Sequence, residues 1–373
     1  MQCETNLLEN GETVDHLVAD WTKLAASTSH TVFQAPGWIK AWLPLAITRA
    51  KLTAFRVFDD DLVACAIVGQ NKVRKLPGIH IHEVRLSESA DDLLDSIYVE
   101  YNRPLCKPRY QSICDRLIFK QLFDSFPNVG SFVFRNIDNN TRESLLECTY
   151  DVGWPCYLVE EGFSWATDLS TDGEVESPQT AQFSKNTRAQ LQRSIRLYTE
   201  TEPLTVTEAK DTAQRQEIWK KLAELHQASW QKRGKTGVFG NSDFVEFHER
   251  LITDSPELVS LLEIRAGAKT IGCLYNHIHD GTSSSYQSGF LYEDDNRFKP
   301  GLVSHYLAMR HYADLGYTAY DMMYGEARYK RSLGKQYQKL STIEVTPPGL
   351  RRNAINFLKT LKGGTFPRIQ YGS

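Results

Sequence analysis

Two short stretches of this 373-residue chain gather residue types that can do chemistry. One is DMMYGEARYK, residues 321–330. Asp321 and Glu326 are carboxylates able to take up a proton, Tyr329 carries a phenolic donor, and Lys330 suits a carboxylate or phosphate. The plain alternative is that Asp321 and Glu326 cap a strand end or pair with Lys330 and Arg331, as isolated acidic residues usually do. Four polar groups at the carboxyl end of a core strand, beside a second suggestive stretch, favour a site. That second stretch is Arg297-Phe298-Lys299-Pro300-Gly301. A basic loop that ends in glycine at a helix start offers unpaired backbone N–H groups and the positive end of a helix dipole. With Arg297 and Lys299 alongside, it suits a phosphate or pyrophosphate. By itself, Lys-Pro-Gly before a helix is more often N-terminal punctuation.

The elements that must position these groups follow from periodicity. Ser284 to Phe290 reads as a short strand, and Leu302, Tyr306, Met309 and Ala313 recur at helical spacing. Gly316 stops that helix as a C′ glycine, and Tyr317 to Met323 returns as a strand. The unit is therefore strand, basic loop, helix, strand. With its wording YQSGF, RFKPGLVSHY and YDMMYGEARYKRSLG, it resembles the acyl-CoA-binding core of the GNAT acyltransferases. It is most similar to the CelD-like branch of cellulose and polysaccharide biosynthesis, related to the FemAB peptidoglycan-bridge transferases. FSKNTRAQLQRSIR, LAELHQASWQKRGKTGVF, FQAPGWIKAW and IYVEYN extend the likeness from about residue 31 to residue 340.

The resemblance implies an α/β (α+β) protein of tandem GNAT-like folds, each a mixed central sheet flanked by helices. It implies acyl transfer from acetyl-CoA or another acyl-CoA, without a metal, to an amino or hydroxyl group of a polysaccharide or cell-envelope precursor. Arg297, Lys299, Pro300 and Gly301 would then hold the donor phosphates. A backbone N–H near Gln287 to Gly289 would polarise the thioester carbonyl, with Gly289 permitting close approach. Asp321 or Glu326 would take the acceptor proton, Tyr329 would serve the leaving thiolate, and Lys330 would bind the acceptor. Lys185 and Arg188, on a helix face with Gln192 and Arg196, are either a solvated face or the receiver of an anionic substrate. His226 and Trp230 are packed aromatics by spacing, and cleft residues by resemblance.

Composition bounds the rest. Hydrophobic residues at 41% and charged ones at 24% describe a globular chain, and its length predicts two domains. A net charge of −3 gives no overall case for DNA, and no apolar run reaches the length of a membrane helix. Seven scattered cysteines without a CxxC pair, and a polar N-terminus, predict a cytoplasmic protein with reduced thiols. His277 and His279 lack a third ligand at metal spacing. The first half (1–165) reads as a degenerate GNAT-like copy and the second (166–373) as the domain with the donor site, divided near the polar stretch 170–180. A lead without structure and a helix precede residue 30, and Ser96 to Tyr101 reads as a strand. The basic amphipathic stretch 350–362 reads as a terminal helix, open to peripheral contact with a membrane polysaccharide synthase. Two other readings stand beside the acyl-CoA one. The first is a FemAB-like transferase fed by aminoacyl-tRNA, the one case with an RNA partner. The other is a non-catalytic accessory subunit of a polysaccharide synthase.

Overall fold

The computed structural model describes residues 1–9, 11–76, 78–170, 180, 182–200, 202–348, 367–369 and 371. The first half runs β1 (Gln2–Leu8), α1 (Gly11–Ala25), α2 (Pro36–Arg49), β2 (Lys51–Asp59), β3 (Asp61–Leu76), β4 (Ile79–Leu86), β5 (Leu105–Cys106), α3 (Gln111–Ser125), β6 (Ser131–Ile137), α4 (Asn139–Asp151) and β7 (Cys156–Asp168). The second runs α5 (Lys185–Thr199), β8 (Leu204–Glu208), α6 (Thr212–Gln231), α7 (Ser242–Asp254), β9 (Val259–Ala266), β10 (Lys269–His279), β11 (Thr282–Phe290), α8 (Pro300–Asp314), β12 (Ala319–Tyr324), α9 (Arg328–Leu333), β13 (Lys335–Val345) and β14 (Arg368–Ile369). The chain divides into two compact units, Met1–Gly162 with Lys339–Ser373, and Phe163–Gln338. The first cut lies three residues before the one read from sequence. The second returns everything from Lys339 to the first unit, because the latter part of β13 pairs with β6.

The two units share one topology. In the first, β1-β2-β3-β4 are antiparallel neighbours, β4 runs parallel to β6, and β13 closes antiparallel against β6. In the second, β8-β9-β10-β11 are antiparallel, β11 runs parallel to β12, and the end of β7 closes antiparallel against β12. In each unit the parallel pair needs a crossover long enough to hold a helix, α3 in the first and α8 in the second. This is the mixed α/β, GNAT-like architecture, with a core of Phe55, Phe119, Phe132 and Phe134 in the first unit. Leu191, Val303, Met309, Tyr312 and Tyr320 belong to the core of the second.

Three local readings change. The lead is strand β1, since Gln2 to Leu8 pair along Phe58 to Leu52. Residues 96–101 are no strand: Tyr101 turns at φ 52°, and Asn136 Nδ2 donates to the Val99 carbonyl at 3.0 Å. Residues 73–76, whose sequence reads as a separate edge strand, continue β3. The terminal helix over 350–362 and most of the 170–180 boundary lie outside the described residues.

Candidate functional site

The second unit holds a cavity of about 690 Å³ beside the start of α8. Its position follows from strand pairing. β11 and β12 are hydrogen-bonded only over Thr282–Ser284 and Ala319–Asp321. Beyond that they part, and β11 continues to Phe290 with β10 alone as its described neighbour. A bulge sits at Tyr286, because Tyr275 pairs with Gln287 while Asn276 already pairs with Ser285. Parallel strands that separate leave a crevice at their carboxyl ends, where ligands of α/β sheets collect.

The loop before α8 forms one wall. Lys299 is the residue before the first helical turn, and its backbone N–H donates to Ser194 Oγ of α5 at 2.8 Å. Phe298 sits edge-on to Tyr198 of α5 at 4.8 Å. These two contacts hold the loop against α5, so Asn186, Gln190 and Arg193 reach the same cavity. Pro300 has no N–H to satisfy. Gly301 and Leu302 occupy the first turn, where backbone N–H groups have no intrahelical acceptor. A Cβ at Gly301 would lie 3.2 Å from the Phe290 ring, a tight contact that the ring would have to yield to. Arg193, Lys299 and Arg328 line the cavity, and among the described residues no carboxylate lies within ion-pair distance of them. The one acidic lining residue, Glu293, is held by Lys269 at 2.6 Å. The result is a cationic pocket at a helix N-terminus, which favours phosphate oxygens.

Arg297 also lines the cavity, but its guanidinium is paired with Asp295 two residues earlier, at 2.7 Å. That pair turns the expected phosphate ligand into a brace for its own loop. Arg193 on α5 lines the cavity, whereas Lys185 and Arg188 are exposed and outside its lining. The difference is one of helical phase, because 186, 190 and 193 share the face turned to the cavity.

The proposed proton-handling group is only partly assembled. Tyr329 lines the cavity. Its ring lies parallel to that of His305, 8° between planes and 5.2 Å between centroids. Asp321 is buried, 2% exposed, and its Oδ1 accepts the Met323 N–H at 2.7 Å. It thereby holds Met323 at φ 65°, where β12 bulges against β7. Glu326 is exposed and faces Arg331 at 3.4 Å. Lys330 Nζ donates to the Tyr324 and Met323 carbonyls, closing the end of β12. For Asp321, Glu326 and Lys330 the geometry is that of a strand end being held together, and none lines the cavity.

Gly289 serves packing. A Cβ there would come 2.7 Å from the Leu222 carbonyl oxygen and 2.8 Å from Leu225 Cβ, so the bare backbone admits α6 onto the sheet. Neither Gln287 nor Gly289 is a lining residue. His226, also on α6, is buried between Trp230 (5.7 Å) and Phe239 (5.0 Å), and burial lowers its pKa. Trp230 lies under Lys235 at 5.8 Å, and neither residue reaches the cavity.

His305 is the wall residue that pattern reading passed over. It lies four residues beyond Gly301, hence on the same face of α8, and is 2% exposed. Its Nδ1 is 2.8 Å from Tyr320 Oη, and its ring meets Phe290 edge-on at 5.6 Å. Burial, helped by the nearby Lys330 charge, pushes its pKa down to about 3. It is therefore neutral at pH 7, and too weak a base to compete for a proton there. Its i, i+4 relation to Gly301 was the available signal.

Among the described residues, no group of three or more His, Cys, Asp or Glu could hold a metal, and no helix is long and apolar enough to cross a membrane. A comparison with curated proteins found no match. The fold is similar to the crystal structure of FemX, with TM-score 0.59, 11% identity, 95% of this chain and 99% of that one covered. It is similar also to L-PGS from Bacillus licheniformis, with TM-score 0.51, 10% identity, 95% and 97% covered. At these identities the likeness is one of fold. Residues 185–331, which contain every residue of the cavity wall but Ser332, match the family model of the acetyltransferase (GNAT) domain.

Proposed function

We propose that the chain is an acyltransferase that takes an acyl group from acyl-CoA and delivers it to an amino or hydroxyl group of a polysaccharide or cell-envelope precursor. The observation that carries this reading is the cavity at the start of α8, with Arg193, Lys299 and Arg328 unpaired by any carboxylate of the described residues and the Gly301 and Leu302 N–H groups beside them. Such a wall fits the phosphates of an acyl-CoA, and its volume suits a ligand of that class. The bound thioester would supply the activated acyl group. Arg193 and Lys299 would bind phosphate oxygens, while Phe290 and the His305–Tyr329 stack would shape the channel and keep water out. Tyr329 Oη would hold or give a proton, and the stack on neutral His305 would orient its ring. No cavity-lining carboxylate is free to act as base, so the acceptor proton would leave through water.

The test is calorimetric titration with CoA, acetyl-CoA and longer acyl-CoAs. Arg193→Ala with Lys299→Ala is expected to weaken binding at least tenfold, whereas Lys185→Ala with Arg188→Ala leaves it unchanged. Equal affinity in all proteins would overturn the assignment of the cavity. A second reading, with aminoacyl-tRNA as donor, is supported by the likeness in fold to FemX over 95% of the chain. Failure of every CoA species to bind, together with binding of a charged tRNA, would move the reading there.

A further inference from the structure

The first unit carries a second cavity of about 690 Å³, and none of its lining residues is acidic. It lies where α2 ends and β2 and β3 pass beside the turn after α3. Arg49, Lys51 and Lys72 supply its charge, and Gln70, His82 and Asn128 are among its further hydrogen-bonding groups. The placement is built. Asn71 Nδ2 donates to the Arg49 carbonyl at 2.9 Å, and Asn71 Oδ1 accepts the Lys72 N–H at 2.8 Å. One side chain thus clips the end of α2 to β3 and sets two cations at one rim.

The hairpin β3–β4 extends the same charge. Lys72 stands directly opposite His82, and Arg74 opposite His80. Residues two apart on a strand share a face, so all four basic side chains project from one face of the hairpin, and all four are exposed. Lys72 and Arg74 are the standing cations of that face, and the two imidazoles add nitrogen atoms able to hydrogen-bond an anion. Among the described residues no carboxylate lies within ion-pair distance of Lys51, Lys72 or Arg74, although the next residue, Lys75, is neutralised by Glu83. A face that presents cations without carboxylate partners suits an anion from outside the chain.

We propose that this groove is a binding site for a phosphate-bearing ligand of the diphosphate class, distinct from the cavity at α8. Lys51 and Lys72 grip the phosphates, Arg49 and His82 line their approach, and Gln70 and Asn128 face the hydroxyl-bearing remainder. The enclosed volume suits a small molecule. The rings its wall offers are Phe126 and the His82 imidazole, without the Tyr or Trp platform on which nucleic-acid bases commonly stack. A diphosphate-linked sugar and a free nucleoside diphosphate share the recognised chemistry.

The test uses the full chain, titrated calorimetrically with inorganic pyrophosphate, a uridine diphosphate sugar, uridine diphosphate and total tRNA. Lys51→Gln with Lys72→Gln, both at exposed positions, is compared with Arg193→Gln in the other unit. The expected result is diphosphate binding that the Lys51→Gln/Lys72→Gln protein weakens at least tenfold and Arg193→Gln does not, with CoA binding unaffected by the former. Tighter binding of the sugar conjugate than of uridine diphosphate identifies the first source, and equal binding the second. Diphosphate affinity unchanged by Lys51→Gln/Lys72→Gln overturns the proposal, as does binding of tRNA with none of the diphosphates.

Discussion

Asp321 and Tyr329 lie eight positions apart in sequence and have different jobs. Asp321 is buried and accepts the Met323 N–H, so the oxygen it offers there is expected to matter for stability. Asp321→Ala should destabilise the protein by about 1–3 kcal/mol, the cost of a buried donor left unmade. Asp321→Asn, which keeps an acceptor, should recover most of that stability in urea unfolding. If Asp321 were the base, Asn would instead abolish turnover while the fold stayed intact. Tyr329→Phe should act the other way. Its stack on His305 survives, so CoA affinity should hold within about threefold, while thiol release falls by about 10²-fold if the hydroxyl handles a proton. An unchanged rate would remove Tyr329 from the chemistry.

At the level of elements, the site depends on how closely α6 lies on the sheet. The position of Gly289 under the Leu222 carbonyl leaves no space for a methyl group, and the obstacle is backbone rather than a flexible side chain. Gly289→Ala should therefore cost about 1–3 kcal/mol as overpacking, read from the urea midpoint. An unperturbed midpoint would mean that α6 can slide on β10 and β11. The apolar face of α8 also differs from the spacing reading. Val303, Tyr306, Met309 and Tyr312 are buried, whereas Leu302 and Ala313 are only partly covered. The expected and buried stripes share Tyr306 and Met309 and part at the two ends, where Val303 and Tyr312 are buried in place of Leu302 and Ala313.

Across the whole molecule, the two units should answer pH in opposite directions. In the second, burial pushes His277 and His305 down to about 3 and His248 well below its usual value. These histidines stay neutral in the fold but protonate on unfolding, so stability present above pH 6.5 is lost as the pH falls towards 3. At pH 5 the loss is about 2 kcal/mol for each such histidine. In the first unit, burial raises Glu88 and Asp115 to about 8. They hold protons that the unfolded chain releases, so that stability is fully present below about pH 4.5 and is lost as the pH rises through 8. Hydrogen exchange, corrected for intrinsic rates, should show the second unit opening more readily at pH 5 than at pH 7, and the first less readily. Parallel changes in both units would refute the assignment of these buried charges.

By itself the sequence determined the elements and their order around the site: a strand, a basic loop, a helix and a returning strand over 284–323. Periodicity and glycine and proline punctuation are local properties, and local sterics enforce them. It also marked Lys299, Pro300, Gly301 and Tyr329, all of which line the cavity. Only the tertiary structure decided which charges are available. Arg297 is cancelled by Asp295, Asp321 is turned onto a backbone N–H, and Arg193 rather than Lys185 or Arg188 faces the pocket. The chain also could not announce that β13 would return to β6, or that Lys72 would stand opposite His82 beside the end of α2. Helical phase, strand register and ion pairing are relations between residues, and they are settled when the elements pack.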